Sequence, residues 1–165
     1  PKDRQLGCQR KRLEWCENVD YVDWPEVDTI HELNEVPWPW EDNSVDGIIM
    51  IHVLEHLDYY RTMNEVKRVL KPKSRAYIIV PHYTNHRAHI GEHIHKGFSW
   101  VAFEHFKDPN HPFHCFKVTR NIIDFGEKLS PLTIVNKFPM FYERFLAYLL
   151  PAVQVIVTLE KKGSK

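Results

Sequence analysis

The sequence predicts an α/β fold on a doubly wound, mostly parallel sheet, and three observations carry that reading. Ile48-Ile49-Met50-Ile51 is a short continuous apolar run behind the turn-forming Asp42-Asn43-Ser44, the pattern of a strand buried on both faces. Leu57, Tyr60, Met63, Val66 and Leu70 then recur at helical spacing, and Lys71-Pro72 stops that helix, because proline disfavours helical backbone at the residue before it. Residues 76–80 form a second apolar run closed by Pro81. A helix between two buried strands is the βαβ unit of a parallel sheet.

The other elements come in chain order. A first strand at 4–6 meets a turn at Gly7, and an apolar segment at 15–19 leads to Asp20. Between Gly7 and Val19 there is too little chain for a strand exit, a full helix and a crossover, so either the start is cut short or the first unit is abbreviated. Residues 116–125 and 153–159 read as strands, and the 161–165 tail as solvated. The aromatic amphipathic stretch 141–150, ended by Pro151, suits a cover for the sheet, a homodimer face or a membrane-surface segment; core cover is the expectation. Between His82 and His114 lie His82, His86, His89, His93, His95, His105, His111 and His114 among aromatics and Asn/Pro turns. This is a histidine-rich insertion at about 82–114 within one domain spanning 1–165.

Bulk properties exclude several classes. The chain is long enough for a single core. Lys plus Arg and Asp plus Glu are equal at 22 each, so net charge gives no signal for nucleic acid or a membrane surface. No apolar run approaches the ~18 residues of a transmembrane helix, and the first five residues lack the apolar core of a signal peptide. Cys8, Cys16 and Cys115 are odd in number without CxxC spacing. They read as free thiols in a reducing, cytoplasmic setting.

Open α/β sheets bind ligands at the carboxyl ends of their strands. Here one strand ends in His52-Val53-Leu54-Glu55-His56 and the next in Pro81-His82. If a helix starts near His52, then His52, Glu55 and His56 share a face and can hold a divalent ion, with imidazoles favouring Zn²⁺, Mn²⁺ or Fe²⁺. The other readings are packing groups in the first helical turn, or His52 or His82 as a general base.

The ordered series Leu6-Gly7-Cys8, Asn18-Val19-Asp20, the 28–34 segment, Pro37-Trp38-Pro39-Trp40, His52-Val53-Leu54-Glu55-His56-Leu57, Glu65-Val66 with Val69-Leu70-Lys71-Pro72, and Val80-Pro81 resembles the type 11 group of class I S-adenosylmethionine (SAM)-dependent methyltransferases. The resemblance implies a Rossmann-like methyltransferase sheet with an antiparallel C-terminal strand, SAM as cofactor and an unidentified methyl acceptor. It places Gly7, Cys8, Asp20, Glu32, Leu33, Asn34 and His52 at the cofactor, with Asp20 toward the ribose. Gln9 departs from the family's second glycine. The His52-x-x-Glu55-His56 pattern also resembles a Glu-x-x-Glu-His metal site in two methyltransferase branches. The segment from His95 to Phe103 resembles the part of the RNA branch that supplies a further histidine. That likeness implies His52, Glu55, His56 and His95 as metal ligands. Two rival functions remain: a methyltransferase-like binding module without catalysis, and a metal-dependent hydrolase using the histidine cluster.

Overall fold

The computed structural model describes residues 3–91, 93–126, 132 and 134–163. Strands β1 (Asp3–Leu6), β2 (Glu17–Asp20), β3 (Thr29–Ile30), β4 (Val45–Ile51), β5 (Leu70–Pro81), β6 (Phe116–Asp124) and β7 (Gln154–Lys161) form one sheet in the order β3-β2-β1-β4-β5-β7-β6. The first five are parallel, whereas β7 runs antiparallel between β5 and β6. The chain winds outward from β1 in both directions, so the strand order reverses between β1 and β4. That is where a crevice opens in such sheets.

Helix α1 (Tyr59–Val69) joins β4 to β5. Its cap is Asp58, whose carboxylate accepts from Arg61 N at 2.9 Å and satisfies one of the helix's unpaired amides. Leu70 is already extended at ψ 132°, and Pro72 lies inside β5 rather than beyond a loop. The helix starts later than the apolar spacing suggested, and Tyr60 is consequently 60 % exposed while Met63, Val66 and Val69 are buried.

One face of the sheet carries the core. Ile48, Met50, Ile78, Val80, Val157 and Leu159 share it with α1 and with Phe98, Phe103, Phe106 and Phe113. The 82–114 segment is therefore not simply an insertion laid over a finished domain. Four of its phenylalanines complete the core, as burial of large aromatic surface requires. On the opposite face, Ile49, Ile51, Tyr77 and Trp15 line an open hollow of about 490 Å³. The β1–β2 connection consists there of turns, so it places no helix over these strands.

The loop before β4 is tied to α1 by charge. Arg68 pairs with Glu65 at 2.6 Å and donates to the carbonyls of Trp40 and Trp38 at 2.7 and 3.1 Å. Burial raises the Glu65 carboxyl pKa, but hydrogen bonds from Arg68 and from the Trp38 amide outweigh it and hold the group below its ordinary range. Trp38 is a core residue at 2 % exposure, not a pocket wall. Between 141 and 150, Tyr142 and Ala147 are buried with Ile123 and Phe125, but Phe141, Phe145, Tyr148 and Leu149 face outward. The expectation that this stretch covers the sheet is corrected: the short helix α2 (Pro139–Phe141) and the π turn after it anchor one edge cluster only. Among the described residues no helix is long and apolar enough to cross a membrane.

Candidate functional site

A cleft of about 300 Å³ opens at the carboxyl ends of β1 to β4, and Gly7, Asp20, Glu32, Leu33, Asn34 and His52 all line it. They arrive from four separate places in the sequence. Gly7 turns the chain after β1 at φ +62°, a conformation in which glycine meets no steric penalty. A side chain there would put its Cβ 2.5 Å from a Val53 methyl on the opposite wall. Gln9 also adopts a left-handed conformation, at φ +49°. Asp20, at the end of β2, is 3 % exposed. Its two oxygens accept from Gln9 N at 2.8 Å and Val22 N at 3.1 Å, which clamps the glycine turn to β2. After β3, Glu32 accepts from Asn34 N at 2.9 Å, and Asn34 Oδ1 accepts from Asp58 N at 3.1 Å. The loop is thus fastened to the cap of α1.

Cys8 is the exception. Its amide donates to Val19 O at 3.1 Å, but the thiol is buried at 2 % exposure and turned away from the cleft. Burial first, and the nearby Asp20 charge second, push that thiol up to about 11. Cys8 shapes the turn through its backbone rather than offering a side chain.

A second hollow of about 440 Å³ adjoins the cleft and shares Gln9, His52 and His56 with it. Its far wall comes from Asn85, His86, Arg87, Ile90 and His93, so the 82–114 segment both builds core and closes this space. His52 sits just past β4 at φ +54°, and α1 begins only at Tyr59, with one short 3₁₀ turn (Leu54–His56) between. The helical register expected for His52, Glu55 and His56 is therefore absent. His52 Nδ1 nonetheless lies 3.4 Å from Glu55 Oε1, while its Nε2 meets Gln154 Oε1 at 3.1 Å.

Two expected roles fall to geometry. His82 is fully buried, with Nδ1 2.7 Å from Thr84 Oγ1 and Nε2 3.4 Å from Glu143. It cannot touch an acceptor as a base, because it faces inward beneath Tyr83 and Tyr142. His95 rests against Tyr59 and Phe98 and does not join Glu55 and His56 around a common point. Among the described residues, the acidic and histidine side chains that do converge are Glu55, His56 and His93, with one ligand atom from each within 4.8 Å of the others. His93 is marked in the sequence only as one of the run His86, His89, His93 and His95, and its meeting with Glu55 and His56 depends on a loop folding back. Gln154 had no local signal, since its place depends on β7 starting opposite Pro81.

Residues 10–78 match the family described as methyltransferase domain. That match spans less than half of the chain, over which the chain is similar to that family, and the chain's sheet has the Rossmann-like fold of the solved methyltransferases it resembles. Similar solved structures include a SAM-dependent methyltransferase from Archaeoglobus fulgidus, at 16 % identity and TM-score 0.67, covering 97 % of this chain and 86 % of that one. Another is a Methanosarcina mazei SAM-dependent methyltransferase, at 11 % identity and TM-score 0.61, covering 99 % and 93 %. A third is the 1,6-didemethyltoxoflavin-N1-methyltransferase of Burkholderia thailandensis, solved with S-adenosylhomocysteine, at 13 % identity and TM-score 0.62, covering 98 % and 71 %. An uncharacterised protein of Methanocaldococcus jannaschii is 40 % identical over 42 residues, which span 26 % of this chain and 19 % of that relative. The chain shares its fold with these solved structures, at identities too low to transfer an acceptor.

Proposed function

We propose that this chain is a single-domain, cytoplasmic methyltransferase that binds SAM in the Gly7–Asp20–Asn34 cleft and passes its methyl group to an acceptor held in the adjoining hollow. One observation carries the reading. Six of the seven side-chain positions expected at a SAM site, drawn from the ends of four strands, line one cleft at the sheet's switch point. Asp20 has oxygen lone pairs beyond those engaged by Gln9 and Val22 for the ribose hydroxyls. The Glu32–Asn34 loop frames the far side of the nucleoside. Catalysis would rest on holding acceptor and methyl in line, with His52, which lines both spaces beside His56, as the base when the nucleophile must lose a proton.

Titration calorimetry with SAM and S-adenosylhomocysteine tests the first half, and tritiated methyl transfer to a mixed acceptor extract tests the second. Asp20→Ala should weaken S-adenosylhomocysteine by roughly tenfold or more, the loss of about 1.5–3 kcal/mol for a charged acceptor. Absence of binding by the wild-type chain refutes the site. Binding without transfer favours a module that holds the nucleoside and does no chemistry.

A further inference from the structure

We infer that Glu55, His56 and His93 form a binding site for one divalent transition-metal ion, of which Zn²⁺ is the best matched, on the wall between the two hollows. Their ligand atoms lie within 4.8 Å of one another. A tetrahedral ion at ~2.0–2.1 Å from each donor needs them about 3.4 Å apart, a contraction that side-chain rotation supplies.

Three further observations point to a cation there. Glu55 is 1 % exposed and its Oε2 has no hydrogen-bond partner, a costly state for a carboxylate oxygen unless something positive meets it. His93 Nδ1 lies 3.1 Å from Ala88 O. That bond assigns the proton to Nδ1 and leaves the Nε2 lone pair free, the way metal-binding histidines are oriented by a backbone carbonyl. On the other side, Gln154 Nε2 donates to Asp124 at 2.9 Å, which fixes Gln154 Oε1 toward His52 Nε2. His52 Nδ1 stands 3.4 Å from Glu55 Oε1, longer than a well-formed hydrogen bond.

The His56 and His93 rings meet edge to face at 4.5 Å between centroids, so both nitrogens approach one point without blocking the hollow. Two imidazoles and a carboxylate suit Zn²⁺ and, less tightly, Co²⁺ or Mn²⁺. A fourth position would open onto the hollow bounded by Arg87 and Ile90. The site stands on these residues alone and does not depend on methyl transfer.

The test is equilibrium dialysis of the full chain against ZnCl2, without any nucleoside, followed by elemental analysis, with Co²⁺ absorbance as a second readout. The expected result is one Zn²⁺ per chain, a Zn²⁺-dependent rise in melting temperature, and at least tenfold weaker binding in Glu55→Gln and in His93→Ala. His105→Ala, on a surface turn elsewhere, should bind as the wild type does. Because His93 is only half-buried, His93→Ala keeps the test valid if Glu55→Gln folds poorly. No stoichiometric binding overturns the site. Unchanged affinity in folded His93→Ala overturns it equally, by placing the ion on other histidines.

Discussion

Replacing Gly7 by alanine should damage this chain more than any other single-methyl addition near the cleft. Two terms add. At φ +62° an L-residue carries about 1–2 kcal/mol of left-handed strain. The new Cβ would also stand 2.5 Å from Val53 Cγ2 and 3.0 Å from Cγ1, against the ~3.5–4.0 Å of a relaxed carbon contact. Valine is stiff at χ1, and rotating one methyl away brings the other in, so overpacking adds about 1–3 kcal/mol. Alanine's smaller unfolded-state entropy returns about 0.4–1 kcal/mol. The net loss is about 2–4 kcal/mol, or roughly 5–15 °C in melting temperature for a domain of this size. Urea denaturation of Gly7→Ala, Val53→Ala and the double variant separates the terms. Val53→Ala removes the steric part and leaves the φ strain, so the cycle should show about 1–2 kcal/mol of favourable coupling. A loss below ~1 kcal/mol for Gly7→Ala, or additivity within ~0.5 kcal/mol, refutes the close approach of these two walls.

Gln9→Gly should stabilise the chain by about 0.5–1 kcal/mol, since it removes strain at φ +49° from an exposed side chain while keeping the amide that binds Asp20; thermal melts will show a fall instead if the glutamine side chain packs in a way the geometry does not indicate. Arg68→Ala should cost about 3 kcal/mol, because it leaves the buried Glu65 charge without its partner, and Glu65→Gln added to it should recover part of that loss in the same denaturation assay. Hydrogen bonds from the Asn18 side chain, then from its amide, and the Arg12 guanidinium hold the Asp28 carboxyl at about 2, below its ordinary 3.8. Its stabilisation is therefore complete above pH ~4 and is lost as pH falls toward ~2. Asp28→Asn should flatten that part of the acid limb in a melting-temperature series, and parallel limbs for the two proteins would contradict the assignment.

The sequence by itself determined the sheet's central unit and named most of the residues that line the cleft. The apolar runs of β4 and β5 and the stripe of α1 are local patterns. Gly7 and Asp20 are marked in the same local way, each standing at the close of a short strand-forming segment. Gly7, Asp20, Glu32, Leu33, Asn34 and His52 could be named because each lies at a strand end, and a parallel sheet brings strand ends together. Tertiary structure alone decided the rest. Cys8 turns its thiol inward because the backbone, not the side chain, closes the turn on Val19. His82 is sealed under aromatic rings, and burial of that kind leaves no mark in a strand-end sequence. His93 reaches Glu55 and His56 only because the 82–114 segment drives its phenylalanines into the core and so returns its histidines to the end of β4. Local spacing fixes which residues share a helix face or a strand end. It does not fix where a loop comes back, because that is set by the burial of apolar side chains distant in sequence.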